Sequence, residues 1–240
     1  MQAGSAVGEV EKDAWRIKLP CQIQFLGPTQ SGKSTKILEL VEQSDRVFER
    51  PVHQFVYVAP GALKEDCTYV QKLYDIVNRA GKKLHVLDRL PTVVEVVETF
   101  PQGDRLLIVD DLTSLPNLDG LTELSGYYSH HANVSLVYSL QNPYQRTSKC
   151  DLTTTSRNLT GRFVFFQLAD FRLYGILNSQ IFPDRKNFIV KCLERAKEEK
   201  CNYIFINTHP QVRLERRKIC YTALFRENSN DLPVFYDLGL

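Results

Sequence analysis

The sequence lacks the features that mark membrane-spanning and secreted proteins. None of its apolar runs reaches the roughly 18 residues that a membrane span needs. The opening stretch MQAGSAVGEVEKDAW has no apolar core of a signal peptide. The six cysteines form no CxxC pair and no zinc-binding spacing with histidine (Cys21, Cys67, Cys150, Cys192, Cys201 and Cys220). We therefore expect reduced thiols, an intracellular location and no membrane partner.

The sequence also lacks a charge excess, an internal repeat and a low-complexity tract. Thirty basic residues against 28 acidic ones give a net charge of +2, so any basic surface must be local. A hydrophobic content of 43% and a charged content of 24% are typical of a soluble globular protein. The 240 residues suffice for one substantial domain with additions, or for two small domains.

Short β-prone runs alternate with longer amphipathic stretches along the chain. Several runs are continuously apolar, which is typical of strands covered on both faces. The strand runs are CQIQFL, FVYVAP, KLHVLD, RLLIVDD, VSLVYSLQ, RFVFFQL and NYIFIN. Helices are predicted at about 34–44, 67–80, 91–99, 119–131, 152–160, 170–181 and 185–199. This alternation predicts an α/β fold, a mostly parallel sheet with helices on both faces.

Three segments are predicted from composition and pattern. Residues 1–14 are small and polar and are expected to form a flexible tail. Residues 15–210 are predicted to form the core domain. Residues 211–240 are predicted to form a C-terminal strand and tail packed on it, with KICYTALF at an edge of the main sheet or outside it.

One stretch, FLGPTQSGKSTKILEL, joins an apolar strand to a glycine-punctuated loop and a helix. Residues 27–34 satisfy G-x-x-x-x-G-K-[ST], the phosphate-binding loop of ATPases and related enzymes. The predicted nucleotide-binding residues are these eight and the next one: Gly27, Pro28, Thr29, Gln30, Ser31, Gly32, Lys33, Ser34 and Thr35. Such a loop points backbone amides at phosphate oxygens. Lys33 is predicted to reach the β- and γ-phosphates, Ser34 to bind Mg²⁺, and Thr35 to contact an outer phosphate. ATP and Mg²⁺ are thus the expected cofactors. A glycine-rich turn that matches by accident is the alternative.

Two further polar groups follow apolar strands. In RLLIVDDL, Asp110 is placed to hold Mg²⁺ and Asp111 to orient or deprotonate an attacking water, unless both simply cap the next loop. In SLVYSLQN, Gln141 would lie beside the γ-phosphate if its strand lies between the other two. Otherwise it is a loop glutamine before Pro143.

The segments GPTQSGKST, LLIVDDL, YYSHHANVSLVYSLQN and TTSRNLTGRFVFFQL resemble, in this order, viral DNA-packaging ATPases of the FtsK–HerA superfamily, especially the poxvirus-like and Maverick/Polinton-type enzymes. The later NYIFINTHPQVRLERRKICYTALF is similar to their C-terminal strand and basic turn. The resemblance covers most of residues 20–225. It implies a RecA-like P-loop NTPase core, a homo-oligomeric ring around double-stranded DNA, and ATP-driven transfer of a genome into a capsid. It also implies that Gln141 acts as a sensor and that capsid proteins are partners.

The resemblance further implies a location in the host cytoplasm or nucleus, at the site of virion assembly. Arg157 is the candidate for an arginine finger acting on ATP of a neighbouring subunit, with a surface or ion-paired arginine as the alternative. His130 and His131 match paired histidines of the family, but their spacing suits no metal site.

Basic clusters supply candidate contacts to DNA phosphates. They are Arg146 with Lys149, and Arg213, Arg216, Arg217 and Lys218. A solvated charged turn is the alternative interpretation of the second cluster.

Two other functions stay open at the level of sequence. A P-loop kinase usually adds an arginine-rich lid, and none is recognisable. A GTP-dependent switch is weakly suggested by SKCD at 148–151, although no glycine follows Asp110 or Asp111 at the spacing of a γ-phosphate switch.

Overall fold

The fold is described from a computed structural model. It describes residues 15–64, 67–99, 103–115, 117–118, 120–128, 132–142, 159–166, 171–209, 219–220, 222–225 and 233–236. The strands are β1 (Gln22–Leu26), β2 (Gln54–Val58), β3 (Lys83–Leu87), β4 (Arg105–Val109), β5 (Val134–Leu140), β6 (Gly161–Phe165), β7 (Tyr203–Asn207), β8 (Ile219–Cys220) and β9 (Phe235–Tyr236). The helices are α1 (Lys33–Glu42), α2 (Ser44–Val47), α3 (Thr68–Arg79), α4 (Val93–Thr99), α5 (Leu121–Glu123), α6 (Phe171–Ile181) and α7 (Phe188–Glu198).

The nine strands of the described residues form one sheet in the order β3-β2-β4-β5-β1-β6-β7-β8-β9. The six strands from β3 to β6 pair in parallel, and the last three are added in antiparallel pairs. The mostly apolar strands β4 and β5 are buried along their whole length, as expected for parallel strands covered on both faces. This is the α/β fold of P-loop NTPases with RecA-like strand order, in which one strand, β5, separates β1 from β4.

The two faces of the central sheet differ in chemistry. On one face Phe25 stacks on Phe163 with ring centroids 4.3 Å apart, and Phe163 lies 4.7 Å from Phe205. Helix α1 covers this face, since the ammonium of Lys36 lies 5.6 Å from the ring of Tyr203, which neighbours Phe163. Because side chains alternate along a strand, Gln22 and Gln24 of β1 point to the opposite face.

On that opposite face the side-chain amide of Gln22 donates to the carbonyl of Ser125 and accepts from the Ser125 hydroxyl. Ser125 belongs to the π-helical turn Leu124–Tyr128, which follows α5. The turn therefore packs over β1. It explains how a glutamine that is only 1% exposed is tolerated in a central strand, because a buried amide must be hydrogen-bonded.

The helix predicted at 119–131 is present in its described part, residues 121–128, where α5 continues directly into a π-helical turn. The turn contains Gly126, and Gly120 precedes α5 with φ of 86°. Glycine is unfavourable inside an α-helix, which agrees with the change from α- to π-helical hydrogen bonding here. The helix predicted at 152–160 lies almost entirely outside the described residues, and Leu159 and Thr160 are not helical. The other predicted helices are present, with ends that differ by no more than three residues, and α2 was not predicted.

The C-terminal part of the chain contributes to the same sheet. β8, from the run KICYTALF, pairs with β7, and β9 forms the last strand beyond it. Residues 1–14 and the cluster at 213–218 lie outside the described residues, so the three-segment division stays a prediction. Among the described residues, no helix combines the length and apolarity needed to cross a bilayer. The five described cysteines are free thiols, and Cys150 lies outside the described ranges.

Candidate functional site

The glycine-rich loop lies where β1 ends and α1 begins. Gly32 directly precedes Lys33 and has φ of 94°, a left-handed conformation that favours glycine. Gly27 is needed for close packing, because a Cβ there would lie 2.7 Å from Cβ of Phe165 and 2.8 Å from Oγ of Ser31. The amide of Gly27 donates to the carbonyl of Leu140 at 3.2 Å, which fastens the loop to the end of β5.

The ammonium of Lys33 lies inside this loop. It donates to the carbonyl oxygens of Gly27 at 2.9 Å and Pro28 at 2.7 Å. Desolvation by burial lowers the pKa of Lys33, and the nearby charges of Asp110 and Asp111 partly oppose that shift. The lysine is therefore a half-buried cation facing two carboxylates, in a position where a phosphate would replace the two carbonyl partners.

A second observation shows that the loop fits an anion. Oγ of Ser31 is buried and has no hydrogen-bond partner among the described residues. A buried hydroxyl normally has a partner, so this atom is an unused donor within the loop. Ser34 lies in the first turn of α1, where the helix dipole favours negative charge, and Thr35 next to it is exposed. The residues present fit a nucleotide phosphate.

Asp110 follows β4 and is held at both carboxylate oxygens. Oδ1 accepts from the hydroxyl of Ser139 at 2.5 Å and from the amide of Asp111 at 3.0 Å. Oδ2 accepts from the hydroxyl of Tyr57 at 3.3 Å. Asp110 is only 7% exposed, and these three bonds stabilise its buried carboxylate.

Asp111 has a different environment from that of Asp110. It is exposed, has φ of 51°, and precedes a 3-10 turn at Leu112–Ser114. Its carboxylate accepts from the hydroxyl of Thr113 at 3.3 Å and from that of Ser114. A carboxylate has about four acceptor sites, so two hydroxyl donors leave capacity for a water molecule.

Gln141 follows the last residue of β5 and is exposed. The sequence predicted that Gln141 lies near the phosphate loop if its strand lies between the other two. The structure has this strand order, because β5 lies between β1 and β4. The preceding residue, Leu140, accepts the hydrogen bond from Gly27. The structure thus brings Lys33, Asp110, Asp111 and Gln141 to neighbouring strand ends at one edge of the sheet.

Few protein ligands are present for Mg²⁺ in this arrangement. The described residues contain no group of three or more His, Cys, Asp or Glu side chains that would hold a metal ion. Ser34 and Asp110 would supply the protein's share, since Mg²⁺ is usually bound by one or two carboxylates together with phosphates and waters.

Ser139 and Asn202 are among the residues of this site that were missed at the level of sequence, as is Tyr57. Ser139 donates to Asp110 and accepts from the Asp111 amide at 2.8 Å; its only sequence signal is a serine near the end of an apolar strand. The side-chain amide of Asn202 donates to the Ser31 carbonyl at 3.0 Å, and nothing in the sequence connects these two residues.

The candidates for contacts between subunits and with DNA are not brought into this site by any described contact. Arg157, His130, His131, Arg146 and Lys149 lie outside the described residues. Arg162, the neighbouring arginine in the same motif, lies within β6 and is 9% exposed. A side chain buried in the central sheet is not positioned to project into another subunit.

No family model matches the sequence, and no curated protein matches it either. Solved structures do match, at low similarity. The genome packaging NTPase B204 from Sulfolobus turreted icosahedral virus 2, in complex with ATP-gammaS, has a TM-score of 0.44 and 11% identity, covering 79% of this chain and 93% of that chain. Thermomonospora curvata EccC (ATPases 2 and 3) has a TM-score of 0.40 and 15% identity over 61% and 30% of the two chains.

The assembled ATPase EscN of the enteropathogenic E. coli type III secretion system has a TM-score of 0.39 and 12% identity, over 75% of this chain and 53% of that chain. Because all these TM-scores are below 0.5, the likeness assigns neither a family nor a function to the chain.

Proposed function

We propose that the protein is a Mg²⁺-dependent ATPase and that it works as a motor on double-stranded DNA, packaging a viral genome into a capsid. The observation that carries the ATPase part is the position of Lys33. Its ammonium lies in the glycine loop within the electrostatic reach of Asp110 and Asp111. This juxtaposition depends on the strand order β4-β5-β1. The DNA part rests on the sequence resemblance described above.

The proposed roles follow from where each group lies. Lys33 contacts the β- and γ-phosphates, and the loop amides with Ser31 and Thr35 bind the remaining phosphate oxygens. Ser34 and Asp110 would hold Mg²⁺ together with the phosphates. The metal, when bound, neutralises charge on the phosphates. Asp111 takes a proton from the attacking water, and Gln141 hydrogen-bonds the γ-phosphate region.

The proposed assembly is a homo-oligomeric ring around DNA, with Arg157 completing the site of the neighbouring subunit and capsid proteins as partners. The net charge of +2 supports a local, multivalent grip on phosphates rather than strong binding by one subunit. The proposed location is the host cytoplasm or nucleus, where virions assemble.

The ATPase part is tested by phosphate release from ATP and GTP, with Mg²⁺ and with EDTA. Lys33→Ala is expected to abolish turnover while leaving the melting temperature near that of the wild type. The matched control is Lys36→Ala, one turn further along α1, where the lysine pairs with Glu39 instead. Full turnover by Lys33→Ala would refute the assignment of this loop. A preference for GTP, or phosphate transfer to a small acceptor, would favour the switch or the kinase.

The motor part is tested by the ATPase rate against duplex DNA concentration at two salt levels. We expect salt-sensitive stimulation, since phosphate contacts release counterions. One variant removes the charges of Arg146 and Lys149, and a second removes those of the cluster at 213–218. We expect one of the two variants to lose the stimulation by DNA and to keep the basal rate of ATP hydrolysis. The control for the first patch removes two exposed charges of α3, Lys72 and Arg79. No stimulation at low salt in an assembled sample would contradict the motor.

A further inference from the structure

Two tyrosine hydroxyls converge on the two residues that would hold Mg²⁺. Tyr57 comes from β2 and Tyr69 from the first turn of α3. Their rings pack against each other, with centroids 5.5 Å apart and planes tilted by 33°. Neither belongs to the glycine loop or to the strand that carries Asp110.

Tyr57 acts on the carboxylate of Asp110. Its hydroxyl donates to Oδ2 at 3.3 Å, while Ser139 and the Asp111 amide donate to Oδ1. Because donors bind both oxygens, they oppose rotation of the carboxylate about the Cβ–Cγ bond of Asp110. The face of Asp110 presented to a metal therefore depends on Tyr57.

Tyr69 acts on the start of α1. Its hydroxyl donates to the backbone carbonyl of Ser34 at 2.7 Å. This bond fixes the peptide that follows Cα of Ser34, and hence the orientation from which the Ser34 hydroxyl projects. It also attaches α3 to α1 at the residue proposed to bind the metal.

Both tyrosine hydroxyls donate their hydrogen bonds from a sheltered position between β2 and α3. Burial raises the pKa of Tyr57 and of Tyr69, and the nearby charge of Asp110 raises both further.

We propose that Tyr57 and Tyr69 are positioning residues for the metal, which orient Asp110 and Ser34 and connect α3 to the nucleotide site. This inference rests on the proposed Mg²⁺-nucleotide chemistry of that site. The two hydroxyls contribute to the part of the nucleotide affinity that requires Mg²⁺. They do not contribute to the part that the phosphate loop supplies alone.

The experiment measures the affinity of a fluorescent ATP analogue with Mg²⁺ and with EDTA, for wild type, Tyr57→Phe and Tyr69→Phe. Each variant is expected to reduce the ratio of the two affinities by roughly 3- to 10-fold, the size expected for one lost hydrogen bond. The affinity in EDTA and the melting temperature are expected to change far less. Tyr74→Phe is the matched control, because Tyr74 lies on the same helix and is 40% exposed.

A lower ratio in both variants, with Tyr74→Phe like wild type, supports the proposal. An unchanged ratio, or an equal loss with and without Mg²⁺, overturns it and leaves the ATPase assignment standing. A wild type whose affinity does not respond to Mg²⁺ overturns the proposed function and this inference together. If Tyr57→Phe fails to fold, Tyr69→Phe decides alone, since it acts on Ser34 rather than on Asp110.

Discussion

Gly27 shows how a single residue constrains both packing and binding. A methyl group there would lie under 3 Å from Cβ of Phe165 and from Oγ of Ser31. Neither neighbour is the free end of a long side chain, so the loop or β6 must move to accept it. The glycine is therefore required by the close approach of the loop to the core, in addition to its place in the phosphate-binding motif.

Gly27→Ala is expected to lower the free energy of unfolding by about 1–3 kcal/mol, which is typical of overpacking, and to weaken ATP binding. Thermal or urea unfolding and nucleotide titration measure the two effects. Gly175→Ala is the control, because Gly175 is exposed inside α6 with nothing within 4 Å of its added Cβ. That change is expected to stabilise the protein by about 1 kcal/mol, as alanine favours helix. Unchanged stability and unchanged ATP affinity in Gly27→Ala would contradict the close approach of the loop to Phe165.

At the scale of elements, β5 joins the two halves of the site. It contains two buried serines, Ser135 and Ser139, which point to the same face of the sheet. Ser135 accepts a hydrogen bond from the amide of Cys21 at 3.0 Å, whereas Ser139 contacts Asp110 and Asp111. One strand therefore offers two chemically similar positions, only one of which lies at the carboxylates.

Ser139→Ala is expected to lower ATP turnover by roughly 10-fold, because Asp110 loses one of its donors. Ser135→Ala is expected to leave turnover near the wild-type value. Ser135→Ala leaves the buried Cys21 amide without its acceptor, whereas Ser139→Ala removes one of the two acceptors of the Asp111 amide and one donor to the buried Asp110 carboxylate. Both variants are therefore expected to cost about 1 kcal/mol in unfolding free energy. Steady-state kinetics and urea unfolding separate the two effects. Equal turnover in the two variants, at equal stability, would show that Ser139 does not position the carboxylate.

At the scale of the whole molecule, the proposed ring makes a prediction about mixed subunits. Arg157→Ala leaves the nucleotide site of its own subunit intact, whereas Lys33→Ala leaves the finger intact. If Arg157 acts in trans, each variant alone is inactive, with losses of roughly 10³-fold or more for the finger. Mixing the two is then expected to restore activity at mixed interfaces, measured as ATPase rate against mole fraction.

The control mixture combines Lys33→Ala with Asp110→Asn. Each of these variants has a damaged nucleotide site in its own subunit, so no interface in the mixture has an intact site for Arg157 to act on. Activity that fails to reappear in the first mixture, when the variants are shown to assemble together, places the finger elsewhere. Arg162 is not a substitute for it, since its side chain is buried in β6. Arg162→Ala is expected to reduce stability rather than to act in trans.

The sequence by itself determined the local features of this protein. The phosphate loop, the strand before it and the helix after it are contiguous, so composition and spacing were enough to predict them. The apolar runs predicted the first seven strands, with their starts within one residue and their ends within three. The helix predicted at 119–131 is present at 121–128, but the pattern did not predict its π-helical part, which packs Ser125 against Gln22.

Only the tertiary structure decided which distant residues meet. Placement of β5 between β1 and β4 brings Ser139 to Asp110 and the end of β5 to Gly27, and no hydrophobic pattern encodes that order. Asn202 reaches Ser31 across 171 positions, and Tyr57 reaches Asp110 across 53. Such contacts depend on strand order and side-chain direction together. An apolar run specifies that a strand is buried, but not which strands lie beside it.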